Sequence, residues 1–156
     1  MRTLGLPKHF FPSEGKSYTL GRITLTFKMT AADTAGAYTL FEAIEPPGSG
    51  AELHRHFTYN ETHIFCEGHY ECQLGEKILK LGPGDMMFAP RGTPHSFKCI
   101  GPETGRELAI SSPGGIFDAF VDELVRSTTE SASPSTPRSA TDFRTIAGKY
   151  GIEFLS

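Results

Sequence analysis

A chain of 156 residues with 15 basic and 18 acidic side chains has the length of one domain and can bury a core without disulfides or a structural metal. Its charges nearly balance and no basic run appears, so a nucleic-acid role has no electrostatic footprint. Met1 to Lys8 lack an apolar run of signal-peptide length and no stretch approaches a membrane span, which gives the expectation of a soluble, cytoplasmic protein without a membrane partner.

Short strand-like runs separated by Gly, Pro, Asp and Asn follow one another at 23–30, 37–45, 52–57, 62–66, 69–74, 77–81, 86–89, 96–100 and 107–111. Their number and spacing suit an all-β sandwich or barrel. Gly75-Glu76 and Pro83-Gly84-Asp85 read as turns between them. Beyond Pro113-Gly114-Gly115 the period changes: Phe117, Phe120, Val121 and Leu124 recur at helical spacing, predicting an amphipathic helix over 116–126. Its apolar stripe either walls a pocket with Phe117 and Phe120 or docks on an outer sheet. Residues 127–140 are rich in Ser, Thr and Pro and read as a flexible linker. A short helix is predicted over 141–150, ending at Gly151, and the apolar Ile152, Phe154 and Leu155 after it can dock on the domain or on a partner subunit. The expected division is therefore 1–126 (barrel with an N-terminal segment and a helix), 127–140 (linker) and 141–156 (helix and docking tail).

Chemistry concentrates inside the strand region. His54 and His56 are two apart, so on a strand both imidazoles leave from one face, whereas a helix would splay them. Glu61 opens the next apolar run, and His95 follows Pro90-Arg91-Gly92-Thr93-Pro94, a turn able to deliver a side chain from a separate strand. Three imidazoles and one carboxylate inside a barrel must be satisfied by something, and a divalent metal fits. Cys66, Cys72 and Cys99 form no CxxC pair and read as small buried residues of a protein kept reduced.

The spacing Gly48-x5-His54-x-His56-x4-Glu61-x6-Gly68, followed by Gly84-x5-Pro90-x-Gly92-x2-His95, resembles the two signature motifs of the cupin superfamily. One position departs, since Cys99 stands where Asn is usual. The stretches Phe41 to Gly48 and Gly84 to Gly92, and the tail Ala147 to Leu155, look most like single-domain, quercetinase-like cupins. The resemblance implies a cupin (jelly-roll, double-stranded β-helix) barrel with C-terminal helices and one divalent transition metal (Fe, Ni, Mn, Co or Zn) on His54, His56, Glu61 and His95. It also implies a homodimer and a Glu61 that serves as both ligand and base.

The expected function is that of a mononuclear metal-dependent dioxygenase acting on a small enolic, aromatic or polyketide-like compound. A non-oxidative isomerase, cyclase, decarboxylase or lyase on the same metal, with His63 and Glu61 as acid and base, is the alternative, and a non-catalytic small-molecule-binding cupin is the third reading. His63, two positions after Glu61, faces the same interior as either a proton shuttle or a hydrogen-bonded core residue. Tyr38, Phe65, Met87, Phe88, Phe97, Phe117 and Phe120 are candidates for an apolar pocket wall. Glu52, His9 and His69 are expected at the surface, and Arg91 in a structural ion pair.

Overall fold

Alternation decides the architecture. In a computed structural model that describes residues 5–130 and 140–155, the predicted runs form β2 (Ile23–Met29), β3 (Thr39–Glu45), β4 (Gly50–His56), β5 (Asn60–Glu67), β6 (Tyr70–Leu74), β7 (Lys77–Leu81), β8 (Met86–Ala89), β9 (His95–Cys99) and β10 (Gly105–Ser112). In β3 and β10 every second residue is buried, as expected of strands with one face on a core. Two strands had no counterpart among the predicted runs. β1 (Lys16–Leu20) is a largely exposed edge strand whose apolar alternation is confined to Tyr18 and Leu20, and β11 (Ile152–Phe154) is only three residues long.

The strands lie in two antiparallel sheets, β1-β2-β3-β10-β5-β8 and β11-β4-β9-β6-β7. The result is the expected all-β jelly-roll barrel with C-terminal helices. Helix α1 (Ile116–Glu130) runs four residues beyond the predicted 116–126, into the segment expected to be a linker, and α2 is Ala140–Lys149. Residues 131–139, the rest of that expected linker, lie outside the described residues. Among the described residues no helix is long and apolar enough to cross a membrane.

Two clusters of buried apolar residues fill the barrel. One holds Phe65, Tyr70, Cys72, Met87 and Cys99. The other joins Phe27, Phe41 and Tyr59 of the barrel to Phe120 and Val121 of α1 and Ile146 of α2. The stripe of α1 therefore faces inward: Phe117 stacks on Phe41 with centroids 4.5 Å apart, and Phe120 meets Phe143 of α2 at 6.0 Å. The tail docks on its own domain, because β11 pairs with β4 so that Ile152 lies opposite His56 and Phe154 opposite His54.

Ile152 is buried under α2 and beside the histidine strand. Ile152→Ala is expected to cost about 2–5 kcal/mol, and calorimetry should show a melting temperature lower by roughly 5–15 °C.

Candidate metal centre and cavity

The four candidate ligands arrive from three strands. His54 and His56 share one face of β4, and pairing with β9 sets His54 opposite His95. Glu61 is the second residue of β5, in the other sheet. The turn before His95 depends on Gly92, whose φ of 80° is a conformation side chains disfavour. Its N–H donates to the His56 carbonyl over 2.7 Å, tying the turn to the end of β4.

All four residues are buried, and one donor atom from each lies within 4.8 Å of the others. Ligands at about 2.1 Å from one ion can be separated by at most about 4.2 Å, so a contraction of only a few tenths of an ångström per side chain would complete a shell. Hydrogen bonds already set two of the rings. Nδ1 of His54 faces the Glu52 carbonyl at 2.6 Å, and Nδ1 of His95 faces the Thr93 carbonyl at 2.9 Å. Each contact puts the proton on Nδ1 and leaves the Nε2 lone pair free, as a metal ligand requires. His56 lacks such a carbonyl partner among the described residues; its ring stacks on Tyr59 at 4.2 Å.

Protonation states suit a cation. Burial, helped by the proximity of His95, lowers the His54 pKa to about 4, and burial lowers His56 to about 3 against the pull of Glu61. Burial also opposes ionisation of Glu61, but His56 and His63 outweigh it and hold this carboxyl well below its ordinary range. Neutral imidazoles around an anionic carboxylate make a donor set for a first-row divalent ion, with coordination positions to spare. The residues fit the metal that the sequence implied.

His63 continues the constellation. It is 1% exposed, and its Nε2 lies 3.2 Å from Glu61 Oε2, although not aligned as a hydrogen bond. Its Nδ1 sits 3.1 and 3.2 Å from the two oxygens of Glu107. Burial disfavours the imidazolium, but Glu107 and then Glu61 more than compensate, so the pKa of His63 stands well above the ordinary value. Beyond Glu107 lies Glu45, whose Oε2 accepts from the Tyr70 hydroxyl at 2.5 Å. Strand register explains the row. Glu45 faces Gly105 and Glu107 faces Ala43, while Ala109 faces His63, so the three inward side chains are diagonal neighbours on one sheet face. Glu45, Glu107 and Tyr59 were not singled out from the sequence. For Glu45 the available signal was an acid in phase with the buried Phe41 and Ala43.

These groups line a cavity of about 130 Å³. His54, His56, Glu61, His63, Glu107 and Glu45 supply its polar side, and Phe41, Phe97, Phe117, Phe120, Phe143 and Phe154 much of its apolar side. Of the aromatic wall expected from sequence, Phe97, Phe117 and Phe120 are present. Tyr38, Phe65, Met87 and Phe88 are elsewhere. Phe65 and Met87 are packed in the second apolar cluster, Tyr38 reaches Met29 near the N-terminal segment, and Phe88 is 55% exposed on edge strand β8. The wall instead includes Phe143 and Phe154, brought back by α2 and β11. Glu52, His9 and His69 are exposed as expected. Arg91 is exposed too and makes no ion pair among the described residues; its role is through the backbone, its N–H donating to Asn60. Cys99 keeps the local backbone pairing with Gly48 and Ser49 despite replacing the usual Asn.

Residues 41–111 match the family described as the cupin domain. The fold is that of a cupin. An uncharacterized protein, MJ1618 of Methanocaldococcus jannaschii, is 35% identical over 75 residues, a segment covering 48% of this chain and about 60% of that relative's length. Among solved structures, KdgF from Halomonas sp. superposes with a TM-score of 0.63 at 18% identity over 70% of this chain and 96% of that one. The polyketide cyclase RemF from Streptomyces resistomycificus gives 0.61 at 23% identity over 69% and 80%. At these identities the structures establish the fold, and function has to be argued from the site.

Two outcomes follow from the geometry. His95→Ala or Glu61→Gln is expected to weaken Co²⁺ binding by at least about 100-fold, read by the visible spectrum of the cobalt-loaded protein. The second concerns Glu45, whose pKa burial and the nearby Glu107 raise from 4.5 to about 8. Between those values the folded protein holds a proton that the unfolded chain has released, so stability falls as pH rises through that window. Glu45→Gln removes the titration. The loss of stability from pH 5 to 8 in denaturant titrations should therefore be smaller in the variant, by a difference on the order of 3–5 kcal/mol at most.

Proposed function

We propose that this protein is a metal-dependent enzyme that moves a proton on a small, largely apolar substrate bearing oxygen donors, in a non-oxidative cyclisation, isomerisation, elimination or decarboxylation. One observation carries the reading. Four buried side-chain polar atoms lack a hydrogen-bond partner among the described residues: Glu45 Oε1, Tyr59 Oη, His63 Nε2 and Ser111 Oγ. Three belong to residues lining one cavity, and the fourth lies opposite Glu61 in the strand register. Unpaired buried polar atoms are costly, and their concentration at one place marks a site that a ligand completes.

A divalent ion held by His54, His56, Glu61 and His95 would supply a Lewis acid for an enolate or phenolate oxygen. The protein's own part is proton transfer. His63 lines the cavity with Nε2 unpaired while Glu107 accepts from Nδ1, which fixes the ring and offsets a positive charge on it. Nε2–H is thereby placed to protonate a substrate atom and, once neutral, to take a proton back. The apolar side, closed by α1, α2 and β11, keeps water from competing for that proton.

The second reading is a quercetinase-like dioxygenase. It is favoured by the four candidate ligands, which would leave a bound first-row ion with open coordination positions. In either case we infer a soluble homodimer, in which a second copy would cover Met86 and Phe88, exposed on edge strand β8.

Oxygen uptake, followed together with product mass, separates the readings. Protein loaded with iron, nickel, manganese, cobalt or zinc is tested against flavonols, catechols and enolic polyketides. Product of unchanged mass, or lighter by carbon dioxide, without uptake is the expected outcome; product gaining two oxygen atoms would overturn it in favour of the dioxygenase. His63→Phe and Glu107→Gln should each lower kcat by about 10²–10⁴-fold with metal content unchanged.

A further inference from the structure

We propose that Glu45 is a specificity residue of the cavity, a neutral carboxylic acid whose Oε1 donates a hydrogen bond to a carbonyl, ether or carboxylate oxygen of the bound molecule, remote from the metal ligands. This rests on reading the cavity as a substrate site. The alternation of β3 sends Glu45 inward with Phe41 and Ala43, and it is 0% exposed. Its contact with Tyr70 is built into the packing. Gly105, opposite Glu45 in the register, leaves the space the phenol occupies, since a Cβ there would lie 2.1 Å from the Tyr70 oxygen.

The Tyr70 hydroxyl has one proton and gives it to Oε2. A proton on the carboxyl therefore belongs on Oε1, the atom without a partner. Two buried carboxyls on diagonal positions cannot both ionise cheaply. Glu107 has the His63 ring against both its oxygens, whereas Glu45 has only the Tyr70 hydroxyl on Oε2 and nothing on Oε1. Glu45 keeps the proton, in agreement with its raised pKa. Around it the wall is apolar, with Ile23, Leu25, Phe41, Ala43 and Phe97. In such surroundings a single neutral donor discriminates strongly, because a ligand without a matching acceptor leaves it unpaired. The ligand class is thus a mainly apolar molecule with an acceptor oxygen away from the atoms that would meet the metal.

Isothermal titration of the full-length protein with acetophenone, with its isostere α-methylstyrene (CH₂ in place of the oxygen) and with benzamidine tests this. The wild type is expected to bind acetophenone about tenfold more tightly than α-methylstyrene. Glu45→Gln should keep that preference, its amide oxygen accepting from Tyr70 and its NH₂ facing the cavity. Glu45→Leu should lose the preference while still binding α-methylstyrene, which shows that the fold and the cavity persist. An undiminished preference in Glu45→Leu, tighter binding of benzamidine than of acetophenone to the wild type, or no binding of either neutral probe would overturn the proposal. The titration involves neither turnover nor dioxygen, so its failure is distinguishable from failure of the proposed reaction.

Discussion

Burying imidazole and carboxylate groups in a barrel is expensive unless something satisfies them, and this barrel buries His54, His56, Glu61, His63, His95, Glu45 and Glu107 together. Backbone carbonyls take one nitrogen each from His54 and His95, and what remains points at a common centre. A divalent cation would resolve the problem in one step, since it would take up the ring nitrogens gathered around Glu61 and neutralise the carboxylate. The rest of the molecule can be understood as support for that centre. The Gly92 turn delivers His95, β11 backs the histidine strand, and the aromatic residues of both helices close the space above it.

The second structural theme is the polar row on the inner face of the six-stranded sheet. Glu61, His63, Glu107, Glu45 and Tyr70 follow one another by contact or by diagonal register. Such a row is tolerated only if its charges alternate or some members stay neutral. Here His63 stands between the carboxyls of Glu61 and Glu107, and burial beside Glu107 raises the pKa of Glu45 to about 8. Such an order would put a proton donor beside the candidate metal ligands and an uncharged hydrogen-bond donor farther along the same sheet, as the proposed reaction and the proposed role of Glu45 require.

Much of this was legible in the sequence because it is periodic. The parity of His54 and His56, the Gly and Pro residues of the turns and the strand rhythm each express a local rule, and the structure brings those residues to one point. His63 was placed inside by the same parity. What escaped depends on long-range packing. Phe117 and Phe120 of the predicted helix and Phe97 of a strand do line the cavity, yet Phe65 and Met87 fill the far cluster while Phe143 and Phe154 arrive from a segment distant in sequence. Glu45 and Glu107 become a pair only through the register of β3 with β10. The helix α1 outran its predicted end because Ser and Thr residues with little intrinsic preference continue a helix already anchored by Phe117, Phe120 and Leu124.

The most direct measurement is anomalous diffraction from crystals of the protein grown with Co²⁺, with data on both sides of the cobalt edge. One strong anomalous peak within about 2.0–2.3 Å of a nitrogen from each of His54, His56 and His95 and of an oxygen from Glu61, with its open side facing the aromatic cavity, is the predicted result. No peak among these four residues, or an ion held elsewhere on the protein, would contradict it and leave the buried polar centre without its organising charge.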